Sequence, residues 1–131
     1  MHPKQEELEK RLRKMLDELD EYLEETYGDQ FILHPNRLKK GEAASPLYDG
    51  MFSTSTKFSM GYGTKSGRGY DIVIDISTLE YVKNENRQRI EDDAARKLKT
   101  LLPNYFPNRK LSILKEANYY KLVGDFSLGI V

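Results

Sequence analysis

The residues best suited to chemistry lie in one ten-residue stretch, Gly61-Tyr62-Gly63-Thr64-Lys65-Ser66-Gly67-Arg68-Gly69-Tyr70. Four of the nine glycines fall here, interleaved with two cations and two hydroxyls. Glycine lets backbone N–H groups approach an anion closely, Lys adds a point charge, and Arg adds a fork of donors. Gly61, Gly63, Thr64, Lys65, Ser66, Gly67, Arg68 and Gly69 therefore form a candidate cradle for a phosphate or carboxylate. Arg37, Lys39, Lys40 and Lys57 are candidates for a supporting basic rim. The competing reading is a long twisted turn whose glycines take positive φ and whose cations are simply solvated.

No named phosphate motif is present. A Walker A loop has Gly directly before its Lys and opens a helix, whereas here Thr64 intervenes and Tyr70 opens a strand. The dinucleotide pattern would need Gly where Ser66 stands. A kinase-type loop does lie between strands, but 131 residues leave no room for the rest of that machinery. Tyr62 and Tyr70 bracket the stretch, and aromatics beside cations suit single-stranded nucleic acid. Strand alternation, however, turns both rings inward with the apolar set.

Other chemistries find less support. Asp71 and Asp75 share a strand face, about 13 Å apart at strand rise, too far for one metal ion or a shared proton. Glu80-Tyr81-Val82-Lys83 has one residue too many for the Glu-x-Lys of metal-dependent nucleases, so a nuclease-like enzyme is a distant alternative. There is no Cys, and His34 is the sole His away from the start. Neither nucleophilic catalysis nor a zinc site has its residues, and the sequence implies no metal and no cofactor.

The elements that must position the cradle follow from periodicity. Leu8, Leu12, Met15, Leu16, Leu19, Tyr22 and Leu23 form an apolar stripe, so residues 4–27 are expected to be a helix of about 36 Å, stopped by Gly28. The stripe should pack on the chain's own sheet. A partner helix or a second copy, engaging residues 8–23, is the alternative. Residues 29–50 lose periodicity and are expected to be an irregular but ordered wrap, with a short strand at Phe31–Leu33. Phe52, Thr54, Thr56, Phe58, Met60 and Tyr62 alternate, as do Tyr70, Ile72, Ile74 and Ile76, so 51–77 should be a hairpin. Residues 85–102 read as a second helix with Asn84 or Asn86 as cap and Pro103 as its end. Residues 110–124 read as a second hairpin.

The predicted fold is one α+β domain, order α-β-β-α-β-β, with a mainly antiparallel sheet of four to five strands under two helices on one face. Its length suits a single core, and 9 Tyr and 5 Phe supply bulk despite a mean hydropathy of −0.70. Balanced charge, 21 basic against 21 acidic residues, argues against a globally basic nucleic-acid binder. The balance hides segregation: residues 1–27 carry net −4 and residues 28–70 net +3. No apolar run reaches membrane-spanning length and no secretory signal opens the chain, which together suggest a cytoplasmic protein without a membrane partner. The functional expectation is a small binding module for an anionic partner, nucleic acid or a phosphorylated small molecule, rather than an enzyme. A protein–protein or self-association module is the alternative.

Overall fold

The computed structural model describes residues 3–60 and 67–124. Helix α1 spans Pro3–Tyr27, strands β1 and β2 span Phe52–Ser59 and Gly69–Ile76, helix α2 spans Asn84–Tyr105, and strands β3 and β4 span Leu111–Lys115 and Tyr120–Gly124. The four strands form one antiparallel sheet in the order β1-β2-β4-β3. This is the expected α+β arrangement, with four strands. Among the described residues, no helix is long and apolar enough to cross a membrane.

Side-chain alternation gives the sheet an inner face, whose rows run Phe58–Tyr70–Leu122–Ile113 and Thr56–Ile72–Tyr120–Lys115. The stripe of α1 meets this side through Leu8, Leu12, Met15, Leu16, Leu19 and Leu23, and α2 through Ile90, Ala94, Ala95, Leu98, Leu101 and Leu102. All twelve are buried in the chain's own core. Such burial is worth about 1.5–3 kcal/mol per large apolar side chain. It leaves α1 without an apolar seam for a partner helix among its described residues.

Helix α1 also covers the edge of the sheet. Asp20 Oδ1 accepts hydrogen bonds from the Thr54 backbone N–H at 2.8 Å and the Thr54 hydroxyl at 2.6 Å. One turn on, Glu24 accepts from the Met51 N–H at 2.9 Å. Two acidic side chains thus satisfy donors that this edge of the sheet would otherwise leave open.

Four local expectations need correcting. Gly28 does end α1, but the chain tightens into a 3-10 turn at Gly28–Gln30 and Gly28 does not take a positive φ. Phe31–Leu33 is no strand: its partners are side chains, Glu80 accepting from the Ile32 N–H and Thr78 donating to the Ile32 carbonyl, so no ladder forms. Lys83, not Asn84 or Asn86, occupies the N-cap of α2, without a side-chain cap bond. Pro103 does not end α2. It lies exposed in the last turn, where its missing N–H removes one bond, and the helix continues until Phe106 reaches the core.

The wrap over residues 29–50 is ordered, as expected. The Arg37 guanidinium donates to the carbonyls of Leu47, Asp49 and Gly50 at 2.9, 3.0 and 3.1 Å. The buried Asp49 carboxylate accepts from the N–H groups of Gly41 and Ala43, both at 2.9 Å. Side-chain-to-backbone bonds take the place of a ladder in this segment.

Candidate anion site at the hairpin stem

The hairpin expected over 51–77 forms in full register, from Phe52 opposite Ile76 to Ser59 opposite Gly69. Gly61, Tyr62, Gly63, Thr64, Lys65 and Ser66 lie outside the described residues; Gly67, Arg68, Gly69 and Tyr70 are described. Tyr70 packs against the core on the inner face, with its ring 5.6 Å from that of Phe58 in an edge-on arrangement. It is a core residue rather than a stacking platform, as its alternation implies.

The outer face carries the charge. One row crosses all four strands as Lys57–Asp71–Lys121–Leu114; beyond it Ser59 pairs with Gly69, and Ser112 with Val123. Asp71 therefore lies between two lysines, one on each neighbouring strand. Lys121 is fully buried, and its ammonium donates to the Gly67 carbonyl at 2.7 Å. Gly69 makes room for this reach. A Cβ there would lie 2.4 Å from the Leu122 carbonyl oxygen and 3.3 Å from Lys121 Cδ, so a larger residue would push the strands and the lysine apart. Gly67 has φ +73°, a left-handed conformation that favours glycine, and no atom crowds the position. Both glycines thus have stated geometric reasons, one the turn and the other the close packing of strands.

The rest of the cluster sets its electrostatics. Arg68 and Lys57 are exposed. Asp71 Oδ1 is buried and has no hydrogen-bond partner among the described residues. Burial, then the negative charges of Asp71 and Glu116, push the Tyr119 phenol above its usual range. Among the described residues, no group of three or more His, Asp or Glu side chains is placed to hold a metal ion.

The rim expected from sequence is not assembled. Arg37 is committed to three carbonyls and holds the wrap together. Lys39 and Lys40 are exposed, but Lys40 lies beside Gly50, before the start of β1. Eight strand residues separate that point from the hairpin stem, roughly 26 Å at strand rise. Only Lys57 of the four belongs with the loop. The nuclease-type residues are also dispersed: Glu80 lies past the far end of β2 from Asp71 and accepts from Ile32, while Lys83 caps α2. His34 accepts from the Asn36 N–H in the wrap. Lys121 is the residue the sequence did not single out, because its importance depends on β4 pairing with β2.

Residues 3–124 match a protein family described as "Uncharacterised protein". A relative from Borreliella burgdorferi (strain ATCC 35210 / DSM 4680 / CIP 102532 / B31), described as "Uncharacterized protein", is 40% identical over 109 residues, covering 83% of this chain and 85% of the relative. No solved structure matches the chain.

Proposed function

The chain belongs to that family, and we propose that it is a binding module whose hairpin takes a phosphate-bearing partner, a nucleic-acid strand or a phosphorylated ligand. The observation that carries this reading is the division of labour at the stem. Buried Lys121 ties Gly67 to the sheet, while Lys57 and Arg68 remain exposed beside it. An anchored glycine turn with exposed cations costs little reorganisation when an anion arrives. Lys65 is a third cation in the sequence between the two strands.

The test is fluorescence anisotropy of a labelled single-stranded oligonucleotide, with inorganic tripolyphosphate as competitor. Three phosphate contacts imply roughly 20-fold weaker binding at 200 than at 50 mM salt. Lys65→Ala/Arg68→Ala should abolish binding, and Lys57→Ala should weaken it. Lys39→Ala/Lys40→Ala should leave it unchanged. Binding that survives the first double variant would sink the assignment. Tripolyphosphate binding seen by calorimetry, without oligonucleotide binding, would point to a small phosphorylated ligand.

A further inference from the structure

The two edges of the sheet are treated differently. On the β1 side, Asp20 takes the Thr54 N–H, Glu24 takes that of Met51 just before the strand, and α1 covers the edge. On β3, no strand lies beyond it among the described residues. The direction of its peptide groups follows from the other edge. Because the Thr54 N–H points to Asp20, the Thr54–Ile74 pair is a non-hydrogen-bonded one, and the alternation can be carried through the register to β3. Leu111, Ile113 and Lys115 then turn their N–H and C=O groups away from β4.

A groove of about 490 Å³ runs beside this edge, between it and the end of α2. Leu102, Pro103, Phe106, Leu111 and Ile113 give it apolar walls. Lys99 and Arg109 are its charged lining residues, and none of the lining residues is acidic. Lys110 adds an exposed cation next to the strand. Leu114, on the outer face, is 43% exposed. Backbone donors and acceptors at an edge, apolar walls below and cations around them are the features an added strand uses.

We propose that β3 and this groove take an extended segment of a partner protein, alternating apolar and acidic side chains, as a fifth strand. Its inner-face apolar side chains would sit against Leu102 and Phe106, and its outer-face carboxylates would face Lys110. Charge complementarity favours this occupant, because the charged residues lining the groove are Lys99 and Arg109, with Lys110 exposed beside them. The surface is separate from the phosphate site of the hairpin and does not depend on it.

The probe is a soluble octapeptide of alternating Val and Glu, titrated into the full ¹⁵N-labelled chain and followed by amide chemical shifts. Saturable shifts at residues 111–115 and 99–106 are expected, with at least tenfold weaker binding of the matching Val/Lys peptide. Lys99→Glu/Lys110→Glu changes two exposed residues and should weaken the Val/Glu peptide at least tenfold without altering the fold. Lys65→Ala/Arg68→Ala should leave the titration unchanged. The proposal fails if the shifts do not saturate, map to residues 67–69, or are as strong with the Val/Lys peptide. It also fails if sedimentation shows the chain alone pairing through β3. Tighter probe binding by a chain ended after Gly124 would reassign the groove to residues 125–131.

Discussion

Among single residues, Asp20 joins structure to pH most directly. Burial pushes its carboxyl up to about 7, against the hydrogen bonds from Thr54 and the charge of Arg13. The folded protein therefore holds a proton that the unfolded chain releases near pH 4. Stability is fully present below that value and falls as pH rises to about 7, by at most about 4 kcal/mol from this group. Asp20→Asn keeps an oxygen for Thr54 but cannot titrate. Chemical denaturation of the variant should give a flatter profile between pH 4 and 7, and an unchanged slope would refute the assignment. Asp93 acts in the opposite sense. Burial raises its carboxyl, but hydrogen bonds from Tyr27, Tyr22 and Arg96 outweigh this and hold it below the usual range. Its contribution is present above the unfolded value and lost as pH falls below it. None of this was legible in the sequence, where Asp20 is one of nine acidic residues in 1–27. Its burial depends on where β1 docks, about thirty residues away.

Within elements, periodicity carried most of the information. The stripe of α1 and the alternation of β1 and β2 follow from apolar spacing, and the structure buries Leu19, Leu23, Phe52 and Ile74 accordingly. The inner face of β1 fades toward its hairpin end, where Phe58 and Met60 are about half exposed. Element ends were less legible because they depend on tertiary contacts. Pro103 is a helix breaker by local rules, yet α2 continues because Tyr105 bonds to Glu18 and Phe106 enters the core. The proline carries a backbone penalty offset by packing. Pro103→Ala should therefore raise stability by about 1 kcal/mol, less than the ~3 kcal/mol of a mid-helix site because only the last turn is affected. Thermal melting would check it; a fall in melting temperature would mean that the exposed ring contributes more than the backbone loses.

Across the whole molecule, charge segregation has a structural outlet: the acidic first helix closes one side of the sheet, while Lys57, Arg68, Arg109 and Lys110 belong to strands and connections. Only part of the candidate site was visible in advance. The Gly-rich stretch stands out in composition, but the bond from Lys121 to Gly67 and the distance of the hairpin stem from Lys40 are properties of strand order. α1 supplies seven large core side chains as well as the edge cover. Deleting residues 1–27 should therefore abolish folding rather than convert an oligomer to a monomer. Far-UV circular dichroism and sedimentation of the truncated chain would decide, and a folded monomer would overturn this account of α1.

Strand order also bears on how the chain acquires its structure. Each hairpin closes over short separations, but the seam between β2 and β4 joins residues about fifty positions apart through three register pairs, Tyr70–Leu122, Asp71–Lys121 and Ile72–Tyr120. Loop-closure entropy makes such a junction slow to form. Two local hairpins can therefore arise early, while the sheet becomes continuous only after β4 has been synthesised. Because Lys121 sits in that seam, the ordering of Gly67 is coupled to the last strand of the chain, and the hairpin end matures with completion of the fold rather than before it.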